Sequence, residues 1–278
     1  MSDLFHPFSK EQLIGYKIPD TFTLLLLDTP HPLCLLAATE LQEYLKTQQD
    51  WEHNFGLNDK CKEAIIGKMF GVMVVQKPTG ETGYLCAFSG KLAGKNNHQK
   101  FVPPIFDTLA SDGFLPLGMK ELAAMTVIIK DLQTTQPKGF EEQVTQLKNA
   151  RKKYSKELQQ QLFNNYFCVN QKGISKDLQS IFKSAQYKNP PAGAAECATP
   201  KLLQYAFLNQ LKPIAVAEFW WGQSPKSTTW KHREFYACCK EKCKPILAHM
   251  LSETNIHFVK TQNCLINFVQ LTECVFCI

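Results

Sequence analysis

The sequence has no apolar run long enough to cross a bilayer, which takes about 20 residues. Charge-free apolar stretches of its first half, such as Phe22–Leu27, are far shorter. The first ten residues carry Asp3 and no basic patch followed by an apolar segment, so they do not read as a secretory signal. Internal repeats and low-complexity tracts are missing. So are the short signatures of phosphate and nucleophile chemistry: no P-loop, no Gly-x-Gly-x-x-Gly, no Gly-x-Ser-x-Gly and no His-Glu-x-x-His. Dinucleotide, kinase and hydrolase readings therefore have no support, and the expectation is a soluble, cytoplasmic protein without a membrane partner.

What is present is an ordinary globular composition. The chain has 278 residues, 44% hydrophobic and 20% charged, enough for one large domain or two small ones. Its 11 cysteines are an odd number without an export signal, which predicts reduced thiols rather than a disulfide framework. Seven of them, Cys197, Cys238, Cys239, Cys243, Cys264, Cys274 and Cys277, crowd the last third. The charge is uneven too. Between Pro137 and Lys188 there are ten Lys/Arg and four Asp/Glu, which accounts for the whole net charge of +6. A local excess of this kind attracts polyanions such as RNA, and it also describes a plain solvated helix face.

Hydrophobic periodicity divides the chain. Residues 31–51 read as a helix, with Leu33, Leu36, Ala37, Leu41, Tyr44 and Leu45 on one side. Met69–Lys91 reads as a β-hairpin, its strands Phe70–Val75 and Tyr84–Phe88 joined through Pro78, Gly80 and Gly83. Lys91–Gly118 reads as irregular, broken by Asn96, Asn97, Pro103, Pro104 and Pro116. Two helices, Met119–Leu132 and Phe140–Phe167, follow as a helical hairpin with near-heptad spacing. A short helix spans Lys176–Ala185, and Lys188–Gly193 interrupts regular structure. The last third then reads as helix Cys197–Asn209, buried strand Pro213–Trp221, loop Gln223–His232 and helix Cys239–Leu251. The expected fold is α/β or α+β. Its core is 67–92 with 190–251, preceded by a helical segment 1–66, interrupted by an insertion 93–189 and followed by an atypical tail 252–278.

Candidate chemistry concentrates at two helix starts. Cys197 opens one helix, and Cys239-x-x-x-Cys243 places two thiols on one face of another. Helix N-termini stabilise thiolates, and three thiolates leave the fourth position of a zinc ion open. Glu196 is the weak candidate for proton handling there. The alternative is that the thiols pack as small hydrophobes. This order of hairpin, helix, strand and helix resembles the zinc-dependent cytidine deaminase fold, and the resemblance implies zinc at Cys197, Cys239 and Cys243. The chain departs from that pattern: Thr199 stands where the deaminase glutamate would follow, and the second motif is Cys-x-x-x-Cys rather than Pro-Cys-x-x-Cys.

Arg151, Lys152, Lys153 and Lys156 lie beside the apolar stripe of the second hairpin helix, as expected for RNA-binding residues. Trp220 and Trp221 would add base stacking, or pack a core edge. Glu218 inside an apolar strand calls for a partner among Lys201, Lys231, His232 and Arg233. His249 lies six residues past Cys243, turned away from that cysteine's face, and is not expected to be a ligand.

Several blocks together resemble one family. They are Gly67–Val75, Gly83–Leu92, Phe101–Asp107, Pro190–Ala206, Ala217–Gly222 and Phe235–Leu247. In order, they are similar to the long N-terminal extension of certain bacterial RluA-type RNA pseudouridine synthases, over roughly residues 30–251. The resemblance implies an accessory region that contacts RNA for an enzyme isomerising uridine without a cofactor. The family's catalytic Arg-Leu-Asp motif is absent from the chain, so no catalytic residue carries over. Three readings stand: an RNA-binding accessory region, a divergent zinc-dependent nucleobase deaminase, and an inactive structural remnant.

Overall fold

The structure is a computed structural model that describes residues 4–24, 29–57, 64–187, 189–225, 230–252 and 256–258. Cys61, Cys264, Cys274 and Cys277 lie outside the described residues, as does most of the expected tail 252–278.

The elements in chain order are β1 (His6–Pro7), α1 (Lys10–Leu13), β2 (Phe22–Leu24), α2 (Pro32–Thr47), β3 (Lys68–Gln76), β4 (Thr82–Phe88), α3 (Phe114–Thr135), α4 (Phe140–Asn165), β5 (Phe167–Val169), β6 (Ser175–Asp177), α5 (Leu178–Ser184), α6 (Ala198–Leu208), β7 (Lys212–Trp221), β8 (Phe235–Tyr236), α7 (Lys240–Met250) and β9 (Ile256–Phe258). Local chemistry sets the ends. Pro32 takes the first position of α2 behind His31, whose Nδ1 accepts from the Leu33 N–H. Asp177 caps α5 by accepting from the Ser180 N–H at 2.9 Å. The two hairpin helices are separated by Gln136 and Gly139, both in the left-handed region at φ 45° and 76°.

A mixed sheet forms the middle layer in the order β1-β4-β3-β7-β2-β9, with β8 also paired to β7. The hairpin β3–β4 is antiparallel, and β7 runs antiparallel to β3 and parallel to β2. On one face, α2 brings Leu33, Cys34, Ala37 and Leu41 against Phe70, Val72, Val74, Phe88 and Phe219. On the other, α5, α6 and α7 bury Phe182, Leu202, Leu203, Ile246 and Met250 against Met73, Leu85, Ala87 and Val216. With both faces covered, every residue of β7 after Lys212 is buried, as its continuous apolar run predicts.

The α/β architecture and the core segments match the sequence reading; the boundaries do not. The expected helical segment 1–66 contributes β1 and β2 to the sheet, so it is part of the core. Helix α3 begins at Phe114 rather than Met119. Pro116 falls in its first turn, where no intrahelical N–H donor is needed, so a residue read as a breaker sits inside the helix start. Within the expected insertion α3 and most of α4 lie outside the core clusters, while Phe163 near the end of α4 joins the main one. Tyr166, Cys168, Leu178, Ile181 and Phe182 belong to the main core as well. The expected tail supplies β9, parallel to β2.

Candidate functional site

Helices α6 and α7 both start at a cysteine. Cys197 is the N-cap of α6 and Cys239 the N-cap of α7, and neither side chain is spent on a capping hydrogen bond. Cys243 is one turn into α7 and buried. The result brings together residues 42 apart in sequence: Cys197 Sγ is 3.9 Å from Cys239 Sγ, which is 3.4 Å from Cys243 Sγ. All three sulfurs lie within 4.8 Å of one another. Zinc–sulfur bonds of about 2.3 Å place tetrahedral thiolates roughly 3.7 Å apart. The two separations that involve Cys239 already have that spacing to within a few tenths of an ångström, and soft sulfur donors are the ones zinc takes.

The electrostatics single out Cys239. Hydrogen bonding with Cys197 and Cys243, joined by the backbone N–H groups of Lys242 and Cys243, holds its thiol far down, at about 2. Cys197 and Cys243 shift the other way, Cys197 chiefly through its bond to Cys239 and Cys243 through its bonds to Cys197 and Cys239. The arrangement is one exposed cysteine flanked by two more shielded ones.

Glu196, the expected proton handler, faces elsewhere. Its Oε1 accepts from the Tyr166 hydroxyl at 3.0 Å, and its carbonyl accepts from the Gly90 N–H at 2.8 Å. The carboxylate that backs the cysteines is Glu218 of β7, 5% exposed. Its Oε1 accepts from both the N–H and the hydroxyl of Thr199, each at 2.8 Å. Thr199 Oγ1 in turn lies 3.2 Å from Cys238 Sγ. Burial raises the Glu218 carboxyl's pKa against the opposing pull of Thr199. Three of the four partners expected for it from sequence are engaged otherwise. Lys201 Nζ donates to the carbonyls of Phe88 (2.9 Å) and Gly90 (3.2 Å), Arg233 Nε donates to Gln42 Oε1, and His232 Nδ1 accepts from the Gly222 N–H. The apolar context of Glu218 in the sequence was the signal that it mattered. His249 lies apart from the cluster, its Nε2 2.9 Å from the Cys168 carbonyl.

Arg151, Lys152, Lys153 and Lys156 are all exposed on α4. Three of them, with Lys148, Thr126, Ile129 and Ser155, line an open recess of about 550 Å³ between the hairpin helices. Arg151 is oriented by its Nε, which donates to Thr126 Oγ1 at 2.9 Å. Lys153 turns to Glu157 at 3.9 Å and is not part of the recess. Trp220 and Trp221 correct the sequence reading. They are 6% and 2% exposed, because β7 is central and covered on both faces. Trp220 packs on Trp230 and Trp221 on His232, which leaves neither indole free to stack a base.

No helix among the described residues is long and apolar enough to cross a membrane. Comparison with protein-family models, with curated proteins and with solved structures returns no match to this chain.

Proposed function

We propose that the chain binds RNA through the basic side of its helical hairpin, as the accessory region of an RNA pseudouridine synthase. The observation that carries this reading is the recess in which Lys148, Arg151, Lys152 and Lys156 converge on a helix pair that meets the core near the end of α4. Cations at successive turns present several donors to a phosphate backbone, and Arg151 is pre-positioned by Thr126. Interactions of this kind position RNA without reading its sequence. The chain has no Arg-Leu-Asp motif, so the reading gives it binding and not isomerisation.

The test is RNA affinity against salt for the wild type and for a variant with Arg151, Lys152, Lys153 and Lys156 all changed to Gln. Removing one cation from a phosphate lowers the log–log slope by about 0.7 for single-stranded RNA. A shallower slope by two or more such steps supports the reading; an unchanged slope overturns it.

A second reading rests on the cysteines: Cys197, Cys239 and Cys243 hold one zinc ion, in the manner of a nucleobase deaminase. When bound, zinc held by three protein ligands lowers the pKa of a water in the fourth position to near neutrality. The chain's own part would be the three thiolates, with Glu218 and Thr199 fixing the start of α6 behind them. Elemental analysis of the purified chain tests it. One zinc per chain, lost on Cys239→Ser, supports a metal centre, and turnover of a free or RNA-embedded base would then extend it to deamination. A chain that binds neither zinc nor RNA leaves the inactive remnant.

A further inference from the structure

Helix α3 carries exposed apolar residues on the side that its own hairpin does not cover. Gly118, Leu122 and Ile129 are buried and mark the side facing α4, its main packing partner among the described elements. Gly118 is pressed there against Leu158, so close that a Cβ would meet that side chain at 2.4 Å. At 100° per residue, Lys120, Ala124, Val127 and Asp131 lie on the opposite side. All four are exposed, and Val127 is 67% exposed. Leu117 and Ile128, 56% and 50% exposed, widen the same apolar strip.

The spacing of these four residues is four, three, four, the seam of a heptad. Their order is self-complementary. When a second α3 is laid antiparallel across a two-fold axis, Lys120 falls opposite Asp131 of the second copy, and Ala124 opposite Val127 of the second copy. The same pairings repeat on the other side of the axis. Lys120 and Asp131 stand about 16 Å apart along their own helix, too far to pair with each other. Neither is in an ion pair among the described residues. Ala123 and Ala124 at the middle allow the two backbones to approach closely.

We propose that this face of α3 is a homodimer interface: two copies of the chain pair α3 against α3 in antiparallel fashion, forming a four-helix arrangement with α4 on the outside. The interface is isologous, as a two-fold requires, and its ends are set by two symmetric Lys120–Asp131 pairs. The recess lined by Lys148, Arg151, Lys152 and Lys156 opens between α3 and α4, so the dimer would carry two basic recesses.

Sedimentation velocity across a concentration range tests the proposal. The wild type is expected to show a monomer–dimer equilibrium. Lys120→Asp and Asp131→Lys each place like charges at both ends and are expected to weaken association about tenfold or more. The double exchange of both residues restores the pairing with reversed signs and is expected to recover the dimer. Val127→Lys at the centre is expected to abolish it. All four positions are exposed, and an unchanged helical circular-dichroism signal confirms that each variant remains folded. A wild type that stays monomeric overturns the proposal. So does a pair of single variants that associate like the wild type, or a double exchange that does not recover.

Discussion

Glu218 and Lys201 are charged groups in the dry interior, 5% and 3% exposed, and each has its own solution. Glu218 takes the N–H and hydroxyl of Thr199, so a strand carboxylate serves as the missing N-terminal cap of α6. Glu218→Gln keeps an acceptor at that place and is expected to leave stability nearly unchanged. Glu218→Ala strands two buried donors and is expected to cost about 1–3 kcal/mol in urea unfolding. Lys201 spends its ammonium on two carbonyls beside the Phe88 ring, and burial lowers its pKa to about 8. The unfolded lysine titrates near 10.4. Between these values the unfolded chain binds more protons, so this residue's contribution to stability rises as pH is raised from about 8 to about 10.4. The stability of Lys201→Met relative to wild type is therefore expected to be greatest near pH 7 and to shrink through that window, as denaturant unfolding at each pH would show. That Glu218 needed a partner was legible from its apolar neighbours. The identity of the partner was not, because the donors belong to a helix start brought up from 19 residues away.

At the scale of elements, the cysteine cluster depends on how closely α6 approaches the sheet. Gly71 of β3, paired opposite Glu218, is what permits that approach. A Cβ there would meet Ala198 Cβ at 2.7 Å and Leu202 Cδ1 at 3.2 Å. Gly71→Ala is expected to lift the first turn of α6, destabilise the fold by about 1–3 kcal/mol and separate Cys197 from Cys239. A lowered melting temperature, together with a changed rate of alkylation at Cys239, would register both effects. Long elements were readable from their pattern: the β3–β4 hairpin, the heptad-spaced α4, and the two helices that open on cysteine. The short strands β1, β2, β5, β6 and β8 hold two or three residues each, too few to express a period. Pro116 misled because a proline reads the same in sequence whether it ends a helix or begins one.

For the whole molecule, composition and pattern point to the layered α/β class, and the placing of Cys197, Cys239 and Cys243 at two helix starts marks the candidate centre. The strand order was not available that way. Nothing in Phe22–Leu24 alone shows that it lies beside Ala215 and Val216, nor that β7 sits at the middle of the sheet and removes Trp220 and Trp221 from the surface. Periodicity reports which face of an element is apolar and is silent on which neighbour covers it.

The place of β7 also dictates a timetable. It joins β3 to β2 and β8, yet it is the last of the long strands to leave the ribosome, 136 residues after the end of β3. At roughly 5–20 residues per second, the hairpin waits on the order of ten seconds for the strand that completes its hydrogen bonding. During that interval Phe70, Val72, Val74 and Phe88 have α2 on one side, and β3 has nothing native on its other edge. The α3–α4 pair, whose packing is local in sequence, is free to form meanwhile. Synthesis therefore yields a finished hairpin of helices well before it yields a sheet, and the exposed strand edge is the part of the nascent chain that a chaperone would have to hold.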